Sequence, residues 1–121
     1  MYGTVLLPVV KKLPSHFYRT GAGNEPVREW LKSLPQEDRR VLGRAIAIIE
    51  FGWPIGMPVC RTLGDGLWEV RSDLSGNRTA RVLFCVAQRR LVLLHGFVKK
   101  TRTTPKPDLE LARLRQREVK G

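Results

Sequence analysis

Acidic residues are scarce in this sequence. Eleven Asp and Glu stand against 22 Lys and Arg, a formal net charge of +11 with a pI near 10.7. That imbalance attracts polyanions and releases their counterions on contact, so nucleic acid, an RNA-rich particle or an acidic protein is the expected partner class. Cysteine is equally sparse. Cys60 and Cys85 sit in apolar stretches, which excludes a disulfide framework and reads as free buried thiols in a reducing compartment. The two histidines and two cysteines form no cluster with metal-ligand spacing, so no metal site is expected. Phosphate-cradling and dinucleotide-binding glycine loops are missing, as is a His-Glu-x-x-His helix, and no Ser or Cys stands in a recognised nucleophile setting. Metal-assisted hydrolysis and covalent acyl chemistry therefore have little support, and neither a cofactor nor a small-molecule substrate is expected. Long hydrophobic runs are also lacking. The apolar stretch 4–10 is broken by Pro8 and followed, not preceded, by Lys11-Lys12. That is the wrong order for a secretory signal, and no run reaches membrane-spanning length. A soluble cytoplasmic protein with no membrane partner is expected.

What remains is enough for one folded domain spanning residues 1–121, with 1–12 open as a strand, an extension or the product of a start codon chosen too early; 42% of the residues are hydrophobic. His16–Thr20 reads as a strand ended by Gly21-Ala22-Gly23-Asn24. Asn24 is placed as an N-cap, with Glu25 and Pro26 suited to a first turn. A helix over 25–34 would align Val27, Trp30, Leu31 and Leu34, and Pro35 closes it. A second helix, 36–51, carries Val41, Leu42, Ala45, Ile46, Ile48 and Ile49, enough to be largely buried, and Gly52 stops it. After a proline–glycine loop, 59–63 is a short strand or lead-in, and Leu67–Asp73, Thr79–Ala87 and Leu91–Val98 form an antiparallel meander. A C-terminal helix over 108–119 follows Thr104-Pro105-Lys106-Pro107, with Leu111, Leu114 and Val119 turned inward. The expected fold class is α+β: a strand and two helices, a twisted antiparallel sheet of three to four strands, and a C-terminal helix. The helices are expected on one side of the sheet.

Alternation along the meander distributes the charge. Trp68 and Val70 oppose Glu69 and Arg71. Ala80, Val82, Phe84 and Val86 oppose Arg81, Leu83 and Cys85. Leu91, Leu93, His95 and Phe97 oppose Val92, Leu94 and Val98. The uncovered face would present Arg71 and Arg81, joined by His95, with Lys99-Lys100-Thr101-Arg102 at the exit. On a plain solvent face these arginines would pair with Glu69 and Asp73. Gathered around one phosphodiester, they would bind it bidentately and stabilise the charge of its transition state. RNA brings its own nucleophile in the 2′-hydroxyl, so His95 with a suitable pKa, or Lys99 or Lys100, would complete a metal-free cleavage site.

The string Leu93-Leu94-His95-Gly96-Phe97-Val98-Lys99-Lys100-Thr101, followed by Thr104-Pro105, resembles the signature of phage-derived HigB-like toxins within the RelE/ParE superfamily. The similarity extends to Glu25–Leu31, to Gly52…Gly56-Met57-Pro58, to Leu67–Arg71 and to Glu110–Arg113, covering roughly residues 16–119. The resemblance implies a RelE-like fold and a type II toxin, a metal-independent endoribonuclease that cuts messenger RNA on the ribosome. It also implies a cognate antitoxin, commonly a helix-turn-helix DNA-binding protein. Arg71 matches the family's Glu-x-Arg strand arginine, and Arg81 matches the arginine opening the next strand. His95, Phe97, Lys99 and Lys100 match the His-Gly-Phe-x-Lys-Lys string, and Arg61 fills a basic slot beside Cys60, where lysine is also common. The implied catalytic set is Arg71, Arg81, His95 and Lys99, with Arg61, Phe97, Lys100 and Arg102 on the RNA. The tyrosine that RelE-type enzymes often place at the end of the sheet is replaced here by Phe97, which shifts proton transfer to His95 or a lysine. Two other readings stand beside this one: a ParE-like gyrase poison without catalysis, and a basic accessory protein that only binds nucleic acid or the ribosome.

Overall fold

A computed structural model describes residues 12–99 and 103–120. The chain runs β1 (Ser15–Phe17), α1 (Pro26–Ser33), α2 (Gln36–Gly52), β2 (Cys60–Gly64), β3 (Leu67–Leu74), β4 (Arg78–Ala87), β5 (Arg90–Lys99) and α3 (Lys106–Lys120). The α+β class expected from the sequence is the one observed. The strands form one sheet in the order β1-β5-β4-β3-β2. It is mixed rather than purely antiparallel, because β1 lies parallel to β5 and pairs Ser15 with Leu91 and Phe17 with Leu93. Local signals set most element ends. Pro26 opens α1, where its missing N–H costs nothing, and Glu29 and Asp38 stand in first turns where a carboxylate is favoured. Asn24 is not the cap. That position falls to Glu25, without a side-chain cap bond, while the Asn24 backbone N–H donates to Thr20 Oγ1 at 3.1 Å and closes a turn.

The sheet is covered on both faces, which corrects the one-sided arrangement. On one face α1 and α2 bring Val27, Leu42, Ile46 and Ile49 onto Val70, Val82, Phe84, Leu91 and Leu93. Each such side chain removed from water contributes roughly 1.5–3 kcal/mol. Trp53 closes this layer edge-on to Trp68 and Phe84, with centroids 5.0 and 5.6 Å apart. On the other face α3 lays Leu109, Ala112 and Val119 over Leu67, Leu83, Cys85, Val92 and Leu94. Burial on both faces explains why β4 reads as an almost unbroken apolar run. Two side chains expected inside are outside: Ile48 of α2 is 50% exposed and Leu114 of α3 is 47% exposed.

Strand β5 departs from simple alternation. Leu83 pairs with His95 but Phe84 pairs with Leu93, so Leu94 is one residue too many and the strand bulges there. Before the bulge Leu91 and Leu93 face α1 and α2, as expected. After it His95 and Phe97 turn to the opposite face and Val98 takes their place. The expectation that His95 and Phe97 share a face with Leu91 and Leu93 is thereby overturned. Gly96 now looks toward α1, and a Cβ there would sit 2.3 Å from the Trp30 ring.

Candidate functional site

Direct cross-strand partners project to the same side of a sheet. One row pairs Arg61 of β2 with Glu69, Glu69 with Leu83, and Leu83 with His95. The next row aligns Arg71, Arg81 and Phe97, and the one after aligns Asp73, Thr79 and Lys99. Four strands thus bring Arg61, Arg71, Arg81, His95, Phe97 and Lys99 onto one face. Lys100 and Arg102 lie outside the described residues.

The arginines are not equivalent. Arg71 is at the surface, its side chain 37% exposed, with Nε 4.0 Å from Oε1 of the buried Glu69. Arg61 is half-buried beside it. Both line a cleft of about 280 Å³ with Met57, Pro58, Val59, Glu69 and Asp73. Arg81, at 0% exposed, lies fully inside, its guanidinium 6.0 Å from the Phe97 ring centroid. Burial pulls its pKa down, Glu69 opposes that, and the charges of Arg71 and Arg61 reinforce it. A guanidinium nonetheless keeps its proton in proteins, so this buried position beside Arg71 stays positive.

The other end of the site is built by the chain leading into α3. Thr104 donates its hydroxyl to Glu69 Oε2. Asp108, in the first turn of α3, brings Oδ1 to 2.6 Å from His95 Nε2. The imidazole stacks on Phe97 with centroids 5.5 Å apart and planes inclined by 30°. Lys99 is exposed at the end of β5. Sequence reading missed Asp108 and Thr104 as site residues. An acid just after prolines is the ordinary mark of a helix start, and nothing local shows that α3 folds back onto His95.

A family model for phage-derived Gp49-like proteins (DUF891) matches residues 29–117. The chain belongs to the Gp49-like family. That family falls within the RelE/HigB-like toxin superfamily, which fits the α+β architecture and points to a toxin paired with a cognate antitoxin. Its matched span contains Arg61, Arg71, Arg81, His95, Phe97, Lys99 and Asp108. A search of curated proteins returned no match. Among the described residues of this Gp49-like chain no helix is long and apolar enough to cross a membrane.

Proposed function

We propose that this Gp49-like protein is the toxin of a type II toxin–antitoxin pair and acts as a ribosome-dependent endoribonuclease on messenger RNA. The observation that carries this reading is the alignment of Arg61, Arg71, Arg81, His95 and Phe97 on one face of adjacent strands. Arg71 and Arg61, which line the open cleft, contact the scissile phosphate. Arg81 is too deep to touch substrate and acts through its neighbours, adding fixed positive potential and backing Phe97. Such preorganised charge is worth most where water is excluded. His95 takes the proton of the 2′-hydroxyl, the 2′-oxygen bonds to phosphorus, and the P–O5′ bond breaks. The leaving 5′-oxygen gains a proton, supplied by Lys99, Lys100 or water. A 2′,3′-cyclic phosphate and a 5′-hydroxyl result, and the RNA itself supplies the nucleophile. Phe97, itself buried, shapes the pocket by stacking on the His95 ring, and Lys100 and Arg102 are assigned to RNA contact.

Primer extension on a defined messenger RNA, with purified protein and EDTA, with and without ribosomes, tests the reading. Cuts confined to the ribosome-containing reaction are expected, and Arg71→Ala is expected to slow them by about a hundred-fold. Cuts on naked RNA would retain the nuclease and remove the ribosome. No cuts from protein that still arrests growth would favour a gyrase poison, whose signature is stalled replication before any fall in translation.

A further inference from the structure

We infer that Asp108 is a positioning residue for His95, holding the imidazole in the orientation that accepts a proton from RNA. The inference rests on the ribonuclease reading above and assigns a role to a residue that reading leaves idle.

The carboxylate meets Nε2 at 2.6 Å, close enough for a short hydrogen bond to an ionised acceptor. Both side chains are largely shielded, His95 at 16% and Asp108 at 19% exposed. Water therefore competes weakly for the contact, which is what separates it from an ordinary surface pair. Each partner is fixed independently of the other. The bulge at Leu94 turns His95 onto this face, and the stack on Phe97 sets the plane of its ring. Asp108 is carried by α3, whose Leu109 N–H donates to Pro105 O at 3.0 Å and whose Ala112 is fully buried against the sheet. Of the other acids on this face, Glu69 is engaged by Thr104 and lies beside Arg71, and Asp73 lines the cleft at β3.

A neutral imidazole carries one N–H. With a carboxylate accepting at Nε2, the proton resides there and Nδ1 presents the lone pair. When Nδ1 takes the substrate proton, the ring becomes positive and the adjacent carboxylate matches that charge. Asp108 thus selects the nitrogen that reacts and favours the state it reaches. A helix-start acid with no such duty would contribute only to the stability of α3.

The test is single-turnover cleavage of ribosome-bound messenger RNA by wild type, D108N, D108E, H95A and H95A/D108N, each checked by thermal melting. D108N is expected to lower the rate at saturation by about ten- to a hundred-fold while the half-saturating concentration stays within about two-fold. D108E should recover most of the loss, and the double variant should be no slower than H95A, as for groups acting as one unit. If D108N does not fold, D108S carries the same expectation. Wild-type-like cleavage by D108N overturns the inference, as does a loss that appears only in half-saturation or that D108E fails to restore. A wild type that cuts no RNA overturns the ribonuclease reading itself and this inference with it.

Discussion

The Trp30 ring lies where a side chain on Gly96 would have to go, with Cζ3 at 2.3 Å and Cε3 at 2.4 Å from an added Cβ. Because the neighbour is a rigid aromatic in a packed layer, relief requires β5 or α1 to shift. Gly96→Ala is therefore expected to destabilise the protein by about 1–3 kcal/mol, read as a lower denaturant midpoint with an unchanged slope. The cysteines show the opposite kind of constraint. Both are buried, and desolvation pushes the Cys60 thiol up to about 11. Since the thiolate is the reactive form, they behave as small apolar side chains. At this scale alternation in β3 and β4 placed Arg71 and Arg81 correctly on one face. It said nothing of their depth, because depth depends on neighbours brought in from distant parts of the chain, such as Phe97 against Arg81.

The helix α3 separates what local pattern reveals from what tertiary packing decides. Helix and strand ends fell within a few residues of their expected positions, since Pro26, Pro35, Pro105 and the turn at Gly76-Asn77 act locally. Three features were illegible. The parallel pairing of β1 with β5 depends on residues some seventy-five positions apart. The bulge has no sequence mark among continuous apolar residues. The inward stripe of α3 is Leu109, Ala112, Gln116 and Val119, while Leu114 faces out, and small Ala112 makes the closest fit. Placing a carboxylate at that fully buried point leaves it unpaired against Leu83 and Cys85. Ala112→Asp is expected to lose hydrogen-exchange protection in α3 first, ahead of α1 and α2, and to expose the apolar patch to a hydrophobic dye. Protection lost uniformly would show that α3 and the helical layer unfold as one unit.

For the molecule as a whole, an excess of eleven positive charges sets how it meets RNA. Binding to a single-stranded oligonucleotide is expected to weaken linearly on a logarithmic salt scale. Arg71→Ala should reduce that slope by about 0.7, as for one phosphate contact, and Ile48→Ala on the far face should leave it unchanged. Sheet order has a different outcome. The first strand pairs with the last, and His95 meets its acid only through the helix that follows. No partial chain can hold the arrangement, since β5 must be present before β1 finds an edge and α3 before the second face is shielded. A chain cut before α3 thus has its arginines but not the geometry that joins His95 to its acid. The site is thus a long-range assembly, and the cleft, the stacked ring and the buried guanidinium come together only once β5 and α3 have both folded onto the sheet.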